Sequence, residues 1–200
     1  MKSIASFLIS VWISTMPALA QSINRFSFQA GYLYATSKLT RTSTALFGLP
    51  DFDPKPGFYM GLTYEHQIST LITSQLELTY QQKGSINRTS PLSPEFINTY
   101  SYLSLTPMVG VKPVKNLHFL IGPQLNLLVN KLTRGSDTQV LFDANRRLEF
   151  GLMGRASYQF NRVGLTASYF KGLTAYYKRD YYYYLMNQNW QVGLAYQLNK

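Results

Sequence analysis

Apolar residues recur at every second position over most of this 200-residue chain, and few stretches carry the 3.6-residue period of a helix. In segment 25–37, Phe26, Phe28, Ala30, Tyr32 and Tyr34 alternate with Ser27, Gln29, Gly31, Leu33 and Ala35. In 148–160, Leu148, Phe150, Leu152, Ala156, Tyr158 and Phe160 oppose Glu149, Gly151, Arg155, Ser157 and Gln159. The same alternation runs through 58–66, 71–83, 100–112, 117–130, 163–172 and 188–198. These eight segments predict eight strands, most of them about 10–13 residues long, whereas strands of soluble proteins run nearer about 5–6. A tilted strand crossing a bilayer needs about 9–11 residues.

The connections alternate in length. Ser69-Thr70 and Asn161-Arg162 predict two-residue turns and 113–116 another short one, while 38–57, 84–99, 131–147 and 173–187 are long and largely polar. Outer-membrane barrels have short periplasmic turns and longer extracellular loops. The expected fold is therefore all-β, an eight-stranded antiparallel up-and-down transmembrane β-barrel. A soluble lipocalin-like barrel shares the alternation, because period two does not say which face points inward. Composition separates the two. Only 14% of residues are charged and 46% are hydrophobic, against about 25% charged in ordinary soluble domains. The mean hydropathy of −0.12 then averages an apolar lipid-facing side with a polar inner one.

Aromatic positions support the membrane reading. Phe26, Tyr64, Phe119, Phe160 and Tyr196 are expected near the periplasmic interface, and Tyr34, Phe58, Tyr80, Phe150, Tyr169 and Trp190 near the outer one. Amphipathic rings form such girdles at membrane boundaries. Pro107 and Pro123 fall inside expected strands, where each removes a ladder hydrogen bond, so a bulge or register shift is expected at each. Residues 1–20 read as a signal peptide. Lys2 is the positive end, 4–13 the mostly apolar stretch, Pro17 the helix breaker and Ala18-Leu19-Ala20 the cleavage motif. The apolar run is too short for a membrane-spanning helix. Residues 21–200 are expected to form the barrel domain.

With the strands placed, the chain resembles the PorT-like outer-membrane beta-barrel family of Bacteroidota. The residues that carry this are SFQAGY (27–32), GFYMGLTYE (57–65), LELTYQQKG (76–84), YLSLTPMVGVK (102–112), LIGPQLNLL (120–128), GLTASYFKGLT (164–174) and WQVGLAYQL (190–198). The similarity spans nearly the whole mature chain and is strongest in the third to fifth strands. Prolines near Pro107 and Pro123 are also a habit of that family. It often carries a glutamate where Ser104 stands here, so no role for that carboxylate carries over. The last strand resembles the signal read by the barrel assembly machinery through Gln191, Gly193, Tyr196 and Leu198. Family members commonly end close to an aromatic, whereas this chain ends Leu198-Asn199-Lys200. The resemblance implies an outer-membrane barrel, and for some members a link to type IX secretion.

Catalytic chemistry has little to work with. The chain has no cysteine and two histidines, His66 and His118, both expected near the periplasmic strand ends and neither with a carboxylate at metal-ligand spacing. No catalytic residue, cofactor or metal is expected. The inward face holds Glu65, Glu77, Glu149 and Arg155 with Gln75, Gln124 and Asn126. Counting from the turns puts Glu77 and Arg155 at similar heights on opposite walls. Pairing across the lumen is expected, since an unpartnered buried carboxylate costs several kcal/mol. An eight-stranded barrel is just wide enough for side chains to fill it, so no conducting pore is expected.

Charge adds a location. Nineteen Lys and Arg against nine Asp and Glu give +10. Lys38, Arg41, Lys55, Lys83, Arg88, Lys131, Arg134, Arg146, Arg147, Lys178 and Arg179 all fall in or beside the long connections. Lipopolysaccharide phosphates lie at that level of an outer leaflet and suit Arg and Lys; a solvated rim without a ligand is the plainer reading. Export and barrel topology argue against nucleic acid as the partner. The run Tyr176, Tyr177, Lys178, Arg179, Asp180, Tyr181, Tyr182, Tyr183 and Tyr184 is expected to extend the last two strands as a hairpin turning near 178–180. Such tyrosines either bind a sugar or a protein, or stiffen the loop.

The expected function is a non-enzymatic structural or protein-interaction role in the outer membrane, accessory to protein secretion. The alternative is a surface adhesion or ligand-binding barrel that uses the basic, tyrosine-rich loops. Expected partners are outer-membrane lipid and lipopolysaccharide, the barrel assembly machinery and other envelope proteins. Mass spectrometry of the protein taken from membranes should find Gln21 as the first residue; a chain that retains residues 1–20 refutes the cleavage site.

Overall fold

The computed structural model describes residues 24–41, 51–88, 96–114, 116–134, 146–175, 177–179 and 183–199. The expected signal peptide lies outside them. The strands are β1 (Asn24–Arg41), β2 (Asp51–Gln67), β3 (Ile72–Arg88), β4 (Phe96–Val114), β5 (Leu117–Arg134), β6 (Leu148–Phe160), β7 (Val163–Gly172), β8 (Tyr177–Arg179) and β9 (Tyr183–Gln197). Neighbours in sequence pair antiparallel from β1 to β7, β7 pairs with β9, and β9 pairs with β1 to close the wall. The barrel thus has eight staves. The three-residue β8 continues the line of β7 along the upper part of β9.

Closure fixes the geometry. Following paired residues around the wall, Asn24 leads to His66, Ser74, Val109, Ile121, Gly154, Tyr169, Trp190 and back to β1 at Tyr34. The circuit returns ten residues along the strand, from 24 to 34. A rise of about 3.3 Å per residue against eight steps of about 4.8 Å tilts the strands by about 40° and gives a backbone diameter of about 16 Å. Opposite side chains therefore meet at the axis.

The two faces divide as the alternation requires. Phe28, Leu62, Leu78, Leu105, Ile121, Leu152, Leu165 and Leu194 all point outward and are exposed. Gln29, Glu77, Thr79, Ser104, Gln124, Asn126, Glu149, Arg155, Ser168 and Gln191 are buried inside. An apolar outside around a polar inside is the reverse of a soluble barrel and excludes the lipocalin arrangement. Aromatic pairs mark both ends of the apolar belt. Phe26–Tyr64 and Tyr158–Phe160 pack in tilted pairs with centroids 5.0 and 4.5 Å apart toward the short turns. Phe58–Tyr80 and Tyr169–Trp190 lie 6.0 and 4.5 Å apart toward the loops.

Several expectations need correction. Strands β1 to β5 run to 17–19 residues, well beyond the expected 10–13. They take in much of the sequence assigned to loops, because polar residues pair as readily as apolar ones once the wall stands in water. At the same tilt, 18 residues rise about 45 Å, against an apolar band of about 25 Å. Strands β6 and β7 have 13 and 10 residues, but β8 continues the wall above β7, so among the described strands the wall stands lowest at β6.

Pro107 and Pro123 cause neither a bulge nor a shift. Leu105 faces Leu125 and Val109 faces Ile121, so the register is unchanged and the prolines stand opposite each other. The β4–β5 ladder is interrupted there, whereas β3–β4 and β5–β6 run on through Leu76–Pro107 and Pro123–Leu152. Placing both missing donors in one gap spares the neighbouring ladders. Register shifts occur instead between Pro54 and Tyr59 on β2, at Ser101–Tyr102 on β4, where β5 carries one extra residue, and between Val111 and Val114 on β4 beside the short turn.

The turn after β2 takes four residues rather than two, Ile68 to Leu71. Ser69 Oγ accepts the backbone N–H groups of Leu71 and Ile72 at 3.3 and 3.0 Å. Asn161 has φ 51° in a two-residue turn between Phe160 and Val163, a conformation that Asn tolerates well. At the closing seam, Leu198 N–H donates to the Phe26 carbonyl. The Asn199 side chain then accepts from Phe26 N–H and donates to the Asn24 carbonyl, both at 2.7 Å. An amide side chain thus extends the ladder past the last strand.

Gly31 and Gly193 face each other in that seam. A Cβ on either would run into Tyr59, the former into its ring and the latter into its hydroxyl. Their smallness lets Tyr59 lie against the seam and reach across to β7. Gly193→Val should lower barrel stability by about 1–3 kcal/mol through overpacking, measured by urea unfolding in phospholipid vesicles. An unchanged midpoint would show that Tyr59 moves aside without cost.

Candidate functional site

The described part of the molecule concentrates its chemistry in the lumen, where three tiers of charge are stacked. In the middle tier Arg155 on β6 meets Glu77 on β3. Its Nη1 donates to Glu77 Oε2, and its Nη2 donates to Oε1 at 3.1 Å. Arg155 Nε donates to Ser168 Oγ at 2.8 Å and Nη1 to Gln29 Oε1 at 3.2 Å. Beside this pair the Tyr59 hydroxyl donates to Thr166 Oγ1 at 3.1 Å, and Thr166 donates on to the Gly193 carbonyl. Both charged side chains are almost wholly enclosed, and a two-pronged guanidinium–carboxylate contact is the geometry that offsets their desolvation best.

The upper tier joins the same two strands. Lys83 Nζ lies 3.7 Å from Glu149 Oε2, with both side chains buried. It also sits 4.3 Å from the centroid of Phe170 and 5.1 Å from that of Tyr102, so two rings face the ammonium. Asn126 donates to Glu149 at 2.9 Å, and Gln124 donates to Asn126 at 2.6 Å. Lys83 was expected on the outer rim; it points inward because position 83 shares the inward parity of Glu77 and Gln81. Six residues separate Glu77 from Lys83 on β3, and six separate Glu149 from Arg155 on β6. The tiers therefore stand about 15 Å apart.

The lowest tier lies at the short-turn end. Glu65 is 3.5 Å from Arg25 Nη1 and 3.5 Å from His118 Nδ1, and Lys112 is within electrostatic range. No local pattern announces the His118–Glu65 contact, because the two residues come from strands three apart and meet only inside a closed wall. The other histidine, His66, donates from Nδ1 to Asn24 Oδ1 at 2.8 Å. No cluster of His, Cys, Asp or Glu suited to a metal ion occurs among the described residues.

The remaining candidates are placed as follows. Gln191 is buried in the lumen and donates to Asn189 at 2.8 Å, Gly193 lies under Tyr59, and Tyr196 and Leu198 face outward. In the tyrosine run, Tyr177, Lys178 and Arg179 pair with Leu185, Tyr184 and Tyr183. Lys178 and Arg179 are therefore still strand-paired, and the rest of the expected turn at 178–180 lies outside the described residues. Tyr176, Tyr181 and Tyr182 lie outside the described residues, as do the side chains of the paired members from 177 to 184. Lys38, Lys131, Arg146 and Arg147 are exposed at the loop end.

A closed antiparallel wall with a lipid-suited exterior and a lumen filled by paired charges defines an integral barrel of the outer membrane. The chain belongs to the outer membrane protein beta-barrel domain family, whose model matches residues 19–178. Among solved structures it is similar to Neisserial surface protein A (NspA), at 14% identity over 86% of this chain and 97% of that one, with a TM-score of 0.52. It is also similar to the outer membrane protein OprG from Pseudomonas aeruginosa, at 10% identity over 90% of this chain and 99% of that one, with a TM-score of 0.51. At these identities the likeness is one of fold. No curated protein sequence gives a significant match.

Glu77→Ala should destabilise the barrel by about 3–5 kcal/mol, because it leaves Arg155 buried and unpaired. The double variant Glu77→Leu with Arg155→Met should recover most of that loss. Urea unfolding in vesicles measures both; equal losses would mean that the pair is not the unit of stability.

Proposed function

We propose that this protein is a non-enzymatic outer-membrane barrel with a structural or protein-interaction role, of the PorT-like kind found in Bacteroidota and accessory to protein secretion. A signal peptide cleaved after Ala20 exports it. The barrel assembly machinery inserts it by reading the last strand at Gln191, Gly193, Tyr196 and Leu198. The observation that carries this reading is the filled lumen. Buried charge pairs cross the lumen at the middle and upper levels, and of the described histidines His66 is hydrogen-bonded to Asn24 while His118 lies beside Glu65. What the molecule offers to partners is then its outside and its two ends.

A second reading, surface adhesion or ligand binding, is favoured by the tall wall of β1–β5 and the exposed Lys38, Lys131, Arg146 and Arg147 at its loop end. Those cations also suit lipopolysaccharide phosphates.

Crosslinking in intact cells, with the partners then identified, should retrieve envelope proteins, and deletion of the gene should reduce protein export. Trimming residues 176–184 should leave both unaffected. If trimming instead abolishes binding to a surface or sugar while the barrel stays folded, the second reading replaces the first.

A further inference from the structure

The short-turn end of the lumen opens into a cavity of about 300 Å³ lined by Arg25, Asn116, Gln159, Asn161 and Gln197. That volume is at the lower end of the range for ligand pockets. Its electrostatics are unbalanced. Arg25 and Lys112 both depend on one carboxylate, Glu65, which His118 also approaches. Behind Arg25, His118 is buried, and neither of its ring nitrogens makes a hydrogen bond. Among the described residues, two cations around one carboxylate leave a net positive charge in a partly desolvated mouth, where an anion gains more than it would in water.

The amides narrow the chemistry further. Gln159 Nε2 already donates to the Asn161 carbonyl, and Gln197 Nε2 to the Asn199 carbonyl, at 2.9 and 2.8 Å. Their side-chain oxygens remain as acceptors. A bare phosphate has oxygen acceptors to offer a cation but, when fully ionised, no N–H for those oxygens. The C-terminal end of a peptide has both, a carboxylate for Arg25 and backbone N–H groups for the glutamines.

We propose that this mouth is a binding site for the free carboxylate end of a peptide presented from the periplasmic side. Arg25 receives the carboxylate, Lys112 adds long-range attraction, and Gln159 and Gln197 accept from the peptide backbone. The site is independent of the loop-end surface considered above, so it stands whichever role that surface serves.

Isothermal titration calorimetry of the full mature chain in detergent micelles tests this with tri-alanine, tri-alanine amide and inorganic phosphate. Tri-alanine should bind saturably, and the amide at least about tenfold more weakly, since it lacks the charge-assisted contact. Arg25→Gln should weaken tri-alanine by a similar factor, while Lys171→Gln at the loop end should not change it. The free-acid to amide comparison needs no variant, so it decides the matter even where Arg25→Gln fails to fold. Absence of saturable heat, equal binding of acid and amide, or displacement by phosphate at concentrations equal to the peptide would each overturn the proposal.

Discussion

A bilayer offers no hydrogen bonds to a bare peptide group, so this sheet has to close on itself, and the pairing of β1 with β9 is the contact on which the rest of the molecule depends. Closure at a ten-residue offset sets both tilt and diameter. The diameter in turn brings inward side chains from opposite walls into contact. Even the end of the seam follows this rule, with the Asn199 amide standing in for a strand residue. The paired prolines follow it as well: two missing donors share one gap and leave the ladders on either side whole.

Once the outside is apolar, the polar positions of every strand are driven into a space too narrow for bulk water. That makes the charge pattern of the lumen a matter of registry. β3 carries an acid below a base, Glu77 then Lys83, and β6, running the other way, carries an acid above a base, Glu149 then Arg155. Opposite charges meet at both levels in the observed arrangement. A slip of β3 against β6 by six residues would set like charges against each other or leave charges unpaired, at a cost of several kcal/mol in this setting. The pairs therefore specify how the two walls stand relative to each other as much as they stabilise the barrel. The lowest tier is different in kind. It is open at one end, is bordered by amides, and among the described residues has more cations than carboxylates.

Much of this was legible in the sequence. Period-two alternation identified which residues face lipid, and low charge decided which way the barrel is turned. Asn161-Arg162 marked its turn through the left-handed tolerance of Asn. The location of Glu77 and Arg155 at one height followed from counting residues. Other features were hidden. Lys83 looked like a rim residue because its neighbours are polar, yet parity along β3 turns it inward. The extra length of β1–β5 was hidden for the same reason, since polar strand and polar loop look alike when neither face is buried in lipid. His118 and Glu65 are separated by 53 positions and by two intervening strands, and no local pattern connects them.

The sequence by itself determined the faces, the membrane and the order of the strands, because those depend on which side chains water and lipid accept. Only the tertiary structure decided which inward groups touch, because that depends on the ten-residue offset at which the wall closes. That offset is a sum over all eight interfaces, and no single strand carries it. It is what placed Lys83 under two aromatic rings and brought His118 to the carboxylate of Glu65, which Arg25 already faces across β1 and β2.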